Sequence, residues 1–126
     1  MYREKSTLQP VEYYNNLPYH TITTSSTSTS SSSRPSDLAI LVDPIIATGA
    51  TVSAAIETLK DWGVQRIVVC SVLASKGGLD KATQVWKEEG KVEFWVGGVD
   101  EEVDARGMIK PGLGDVGDRL FGTVGK

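Results

Sequence analysis

One cysteine and one histidine in 126 residues close several routes at once. Cys70 lies alone within the apolar run IVVCSVL, so neither a disulfide framework nor a cysteine-based metal site can form. His20 is the other scarce zinc donor, and these two cannot assemble the usual four-ligand set. Placed beside a Ser/Thr tract, His20 is also a poor candidate for catalysis. Basic charge is short as well: 13 Lys and Arg face 16 Asp and Glu, giving −3 and a pI near 5.1. A nucleic-acid binder normally carries a basic face, so that class is disfavoured. No apolar run reaches the roughly 18 residues of a membrane span, and the start MYREKSTLQP lacks the apolar core of a signal peptide. The expectation is a cytoplasmic protein that meets neither nucleic acid nor membrane.

What is present reads as one α/β domain. Leu38–Val42 (LAILV) suggests a buried strand that delivers Asp43 to a loop of small residues, with a helix opening near Thr51. Val52, Ala55, Ile56, Leu59 and Trp62 recur at helical spacing, and Gly63 supplies a stop. Ile67–Leu73 is almost continuously apolar, as expected of a strand covered on both faces, and Gly77-Gly78 should break it. Leu79, Ala82, Val85 and Trp86 predict a second helix ended by Gly90, and VEFWV (92–96) a third strand bounded by Gly97-Gly98. Trp62, Trp86 and Trp95 read as core. The order β-α-β-α-β over 38–99 implies a parallel sheet with flanking helices and right-handed crossovers, with ligands at the carboxyl ends of the strands. Before it, twelve of the thirteen residues 21–33 are Ser or Thr, and the surrounding 19–37 reads as a flexible loop. Pro10 and VEYY predict an extended entry and one helical turn ending before Pro18.

The candidate chemistry sits at two places. Asp43, Thr48, Gly49 and Thr51 ahead of a helix start suit a phosphate, because backbone N–H groups there are unpaired and small residues permit close approach. No Gly-Lys-Ser/Thr follows, so the loop is not that of a nucleotide kinase or NTPase. The tail PGLGDVG places Gly112, Gly114 and Gly117 in G-x-G-x-x-G spacing. Pro111 precedes it, however, and the sequence reaches Lys126 without the acid such a fingerprint needs about 20 residues later, so a dinucleotide fold is disfavoured. A rigid loop offering backbone groups to a planar ligand, or a plain tight turn, is the better reading. Residues 100–110 are acidic and predict a short helix or turn. Asp100, Glu101, Glu102 and Asp104 are either a solvated face or, less well, a metal contact. Arg3, Arg106 and Arg119 are candidates for phosphate contacts, with plain surface placement as the alternative.

DPIIATGAT (Asp43–Thr51) resembles the phosphoribosyl diphosphate (PRPP) loop of type I phosphoribosyltransferases, in the Asp-Pro form of the uracil phosphoribosyltransferases. IKPGLGDVGDRLFGT (Ile109–Thr123) resembles the uracil-binding carboxyl terminus of that family. YREKSTLQPVEYYNNLP (Tyr2–Pro18) and SVLASKGGL (Ser71–Leu79) fall in the expected order around them. The resemblance implies uracil and PRPP as substrates, UMP and diphosphate as products in pyrimidine salvage, and Mg²⁺ carried by PRPP without direct protein ligands. It implies PRPP binding by Arg3 and by Asp43, Pro44, Ile45, Ile46, Ala47, Thr48, Gly49, Ala50 and Thr51. Uracil would be held by Ile109, Gly114, Asp115 and Val116, with Asp115 also facing PRPP. Asp43 and Asp115 are then the catalytic candidates. A homo-oligomer and a GTP activator are further implications.

The departures are Val116 in place of the usual alanine and Ala50 in place of the second loop glycine. The Ser/Thr tract lengthens the connection before the PRPP strand, and the family's N-terminal half is not represented. Residues 1–126 therefore read as a partial domain: a core over 38–99 and a uracil-binding segment over 100–126. An inactive truncated remnant, or a module that binds PRPP or UMP without turnover, is the alternative, and an uncovered apolar sheet surface is expected.

Overall fold

A computed structural model describes residues 14–18 and 35–123. Arg3, His20, most of the Tyr2–Pro18 segment and the Ser/Thr tract lie outside the described residues, so the expectations placed on them are not addressed. Residues 14–18 carry no regular structure; Trp62 donates its indole N–H to the Pro18 carbonyl at 2.8 Å.

The elements follow the expected order with additions at the end. They are β1 (Leu38–Val42), β2 (Ile45–Ile46), α1 (Ala50–Trp62), β3 (Arg66–Ser75), α2 (Lys76–Thr83), β4 (Val92–Asp100), β5 (Glu102–Val103), β6 (Ile109–Lys110) and α3 (Val116–Phe121). β3 is the axis of the sheet. β1 pairs with its first half, β2 with Leu73 and Ala74, and β4 with nearly its whole length, all parallel. Since β4 occupies one edge of β3 along that length, β1 and β2 share the other, interrupted by the Asp43-Pro44 bend.

The strands thus step in one direction, from β1 through β3 to β4. Right-handed crossovers taken repeatedly in one direction put their helices on the same face. α1 and α2 accordingly share one core with the sheet: Ile46, Val52, Ile56, Val64, Ile67, Val69, Ala74, Ala82 and Trp86 are all buried together. Each such aliphatic side chain contributes about 1.5–3 kcal/mol by leaving water. The opposite face is bare among the described residues. Ile40, Val42 and Val72 are exposed on it, and Trp95 is 66% exposed. This corrects three expectations: β1 is not buried, β3 is covered on one face only, and Trp95 is not core. Trp62 is half-buried and Trp86 buried, as expected, with the ammonium groups of Lys60 and Lys91 on the Trp86 ring at 5.7 and 5.6 Å.

Helix α2 departs most from its prediction. The chain passes from β3 into α2 without a break at Gly77-Gly78, because Ser75 caps the helix, its hydroxyl accepting from Gly78 N–H at 2.9 Å. The helix ends at Thr83, ahead of the predicted stop at Gly90. Beyond it, Gln84 and Val85 donate to the carbonyls three residues back, a tightened turn that keeps Val85 and Trp86 against the core. β4 runs through Gly97-Gly98 to Asp100, since the ladder to β3 continues from Leu73↔Gly98 to Ser75↔Asp100. The acidic segment, expected as helix or turn, turns at Ala105-Arg106 and pairs the strands on either side of it, β5 and β6, antiparallel. The tail, read as a rigid loop or a tight turn, ends in the short α3 because Asp115 caps it, accepting from Asp118 N–H at 3.0 Å.

Candidate functional site

The loop that leaves β1 is fixed before it reaches α1. Asp43 N–H donates to the Cys70 carbonyl at 3.1 Å, and the Pro44 carbonyl accepts from Val72 N–H at 3.1 Å. Two residues of β2 then run along β3. Past them the Ala47 carbonyl accepts the hydroxyl of Ser75 at 2.5 Å, and Ser75 is completely buried. Gly49 caps α1 in the left-handed region at φ 74°, and a Cβ there would run into the Gly78 carbonyl. A Cβ on Gly78 would meet the Ala47 carbonyl in turn. The loop and the first turn of α2 therefore touch backbone to backbone, which only glycines allow.

The start of α1 faces outward from this junction. It has no side-chain cap and no acidic residue in its first turn, so no carboxylate of that turn competes for its positive end. Thr48 and Thr51 are exposed beside it, and Ala50 N–H makes only a 3.4 Å contact with the Thr48 hydroxyl. Asp43 is half-buried, and desolvation raises its carboxyl above the ordinary 3.8 against the opposing pull of the Ile45 N–H.

Across from the loop lies the tail. Together they enclose a cavity of about 260 Å³. Ile45, Ala47 and Leu73 line its sheet side, and Gly107, Met108, Ile109 and residues 113–117 its tail side. That volume is below the ~300–1,000 Å³ of sites for drug-sized ligands and suits one small ring. Ile109 is buried, and Gly112 takes φ 54° because a Cβ would strike the Ile109 carbonyl. Arg119 donates through Nε to the Leu113 carbonyl, which folds the glycine loop onto α3. Asp104 shapes the other end: its carboxylate accepts from Arg106 N–H at 2.8 Å and Met108 N–H at 3.0 Å. The Met108 bond is the leading cause holding that carboxyl below the ordinary 3.8.

Of the residues singled out from sequence, Ile45, Ala47, Ile109, Gly114, Asp115 and Val116 converge on the cavity. Asp43, Pro44, Ile46, Thr48, Gly49, Ala50 and Thr51 do not line it; they form the bend and loop on either side of its Ile45–Ala47 wall. Leu73, Met108 and Leu113 were missed as lining residues, and Ser75 and Gly78 as supports. The strand-end rule could have found Leu73 and Ser75. Arg119 is engaged with Leu113, whereas Arg106 contributes its backbone to the Asp104 turn and has an exposed side chain. The acidic stretch is not a plain solvated face: Asp100 and Asp104 accept backbone N–H groups, and Glu101 pairs with Lys76 at 3.4 Å. Among the described residues no three His, Cys, Asp or Glu side chains converge as a metal site. No described helix is long and apolar enough to cross a membrane.

Known proteins agree with this arrangement. A family model described as uracil phosphoribosyltransferase matches residues 1–123. A Schizosaccharomyces pombe protein named "Putative uracil phosphoribosyltransferase urg2" is 43% identical over 124 residues, 98% of this chain and 52% of that protein. The uracil phosphoribosyltransferase of Caldanaerobacter subterraneus subsp. tengcongensis is also 43% identical, over 98% of this chain and 51% of its own length. The chain spans about half the length of the curated relatives it matches. Among solved structures, the AQ2163 protein from Aquifex aeolicus superposes with a TM-score of 0.59 at 36% identity, covering 70% of this chain and 41% of that one. Loop, tail, sheet and relatives point the same way: the chain belongs to the uracil phosphoribosyltransferase family.

Proposed function

We propose that the chain binds PRPP and uracil and transfers ribose 5-phosphate to N1 of uracil, yielding UMP and diphosphate. The observation that carries this is the shared cavity, whose one wall ends the Asp43–Thr51 loop and whose other wall is the Ile109–Val116 tail. The 5-phosphate sits at the uncapped start of α1, where Ala47–Thr51 supply backbone N–H groups and the Thr48 and Thr51 hydroxyls. Asp43 accepts from the ribose hydroxyls. Uracil enters between Ala47 and the tail, and backbone groups of Ile109 to Val116 pair with its alternating C=O and N–H edge. Such a site rejects cytosine by leaving buried groups unpaired. Arg3 contacts PRPP by resemblance alone.

In the reaction the C1–oxygen bond to diphosphate breaks and its electron pair leaves with diphosphate. N1 of uracil forms the new bond to C1 and its proton passes to solvent. The chain contributes positioning: the fixed loop and tail hold the ring nitrogen over C1. Asp115 lines the cavity and its Oδ1 is held by the Asp118 N–H, so its carboxylate would stand as a fixed negative group near a positively charged ribose. A lone exposed carboxylate also fits hydrated Mg²⁺, which prefers phosphate and water oxygens and one or two carboxylates. Carried in with PRPP, the ion would neutralise charge on the leaving diphosphate.

Labelled uracil with PRPP and Mg²⁺ tests the proposal directly. Labelled UMP, abolished by Asp115→Ala, is the expected result. Binding of both substrates by calorimetry without UMP would replace catalysis by a binding role, and no binding would remove both. Self-association, activation by GTP and a cytoplasmic location rest on the family resemblance and are proposals of the same standing; sedimentation with and without GTP checks the first two.

A further inference from the structure

Two walls of a cavity that come from distant parts of a chain must be held at a fixed separation, and one rung of the sheet does this. Ser75 and Asp100 are register partners at the carboxyl ends of β3 and β4. Ser75 fastens the sheet wall through the Ala47 carbonyl, as described. Asp100 fastens the tail: its Oδ2 accepts from Gly112 N–H at 2.9 Å. The other hydrogen bonds made by residues 111–123 close within the tail, from Arg119 to Leu113, from Asp118 and Arg119 to Asp115, and from Thr123 to Asp118, among the described residues. Only glycine fits at position 112, since its positive φ and the nearby Ile109 carbonyl exclude a side chain, and glycine's own backbone freedom leaves the Asp100 bond to fix its posture.

We propose that Asp100 is a positioning residue for the base site, its carboxylate holding Gly112 N–H so that the Leu113–Gly117 wall stands at the height over Ala47 that a pyrimidine ring requires. This rests on the proposed reading of the cavity as the uracil site. Asp100 is not among the cavity-lining residues, so it acts through Gly112. A hydrogen bond to a charged group is stronger than a neutral one, and the carboxylate has no donor of its own to misdirect the amide.

The test uses the full chain with Asp100→Ala and Asp100→Asn, each checked for native circular dichroism. Hydrogen exchange without ligand is read first. Gly112 exchange should rise tenfold or more in Asp100→Ala and by less in Asp100→Asn, whose amide oxygen still accepts. Calorimetry then compares uracil with PRPP. Uracil affinity should fall about tenfold in Asp100→Ala with partial recovery in Asp100→Asn, while PRPP affinity holds within twofold. Unchanged Gly112 exchange, equal loss of both affinities, or an Asn variant no better than Ala would each overturn the proposal. If the wild-type chain binds no uracil, the reading of the site fails on its own account. The exchange result then decides whether the tie to Gly112 exists.

Discussion

Asp43 illustrates a residue whose function and stability pull apart. Its folded pKa is raised, so the native state holds the proton more tightly than the unfolded chain does. Stability therefore falls as pH climbs from 3.8 through the raised folded value, and the loss persists at neutral pH. Asp43→Asn keeps the acceptor for Ile45 N–H and removes the charge. Urea titrations should find it as stable as the parent or slightly more so at pH 7, with the gain gone below pH 3.8. PRPP affinity should drop tenfold or more, since ribose hydroxyls lose a charged acceptor. A clear loss of stability at pH 7 would contradict the assignment of desolvation as the dominant effect. Asp43 stood out in the sequence as an acid ending an apolar strand ahead of Thr-Gly-Ala-Thr. The commonest use of such an Asp is nonetheless to cap the following turn, and its bond from Ile45 N–H is of that kind. Asp100 was not legible there, because its role arises from a contact with Gly112 that no local pattern announces, whereas Ser75 at a strand end could have been found.

At the scale of elements, one side chain reinforces the β5–β6 turn. Beside the backbone bonds from Asp104 N–H to Met108 and from Gly107 N–H to Asp104, the Asp104 carboxylate accepts two further N–H groups and so helps place Met108 on the cavity. Its folded pKa is lowered, so its stabilising effect is present above 3.8 and fades as pH falls through the lower folded value. Asp104→Ala should speed amide exchange at Arg106 and Met108 severalfold at neutral pH and weaken uracil binding, with exchange in β3 unchanged. Equal acceleration in β3 would mean a global effect. The helices show what periodicity can and cannot tell. α1 matched its stripe and its Gly63 stop. α2 did not, because Leu79 to Trp86 keep apolar spacing through a turn that is no longer α-helical. The cap at Ser75 was obscured by two glycines that look like a break, of which Gly78 instead permits backbone contact with the Ala47–Gly49 loop.

At the scale of the whole molecule, the sheet face left bare among the described residues is the dominant fact. A strand that is apolar at every position, such as β1, reads as covered on both sides, because composition does not reveal which side the crossovers take. Ala39 and Leu41 point into the core, whereas Ile40 and Val42 do not. The expected apolar exposure is present, and it centres on Trp95. In a dilute, monodisperse sample Trp95 should supply the acrylamide-quenchable part of the tryptophan emission, and Trp95→Phe should remove most of it. An unchanged accessible fraction would mean that something already covers the face.

A sheet whose strands step one way also ends in two open margins. β1 and β2 form one, and the outer side of β4, nine residues long, forms the other, with no ladder partner among the described residues. The N–H and C=O groups there are a separate demand from the apolar surface. Laying helices over the bare face would bury Ile40 and Trp95 yet leave this backbone unsatisfied. Only water or another strand meets that need, so covering the sheet and extending it are two distinct requirements.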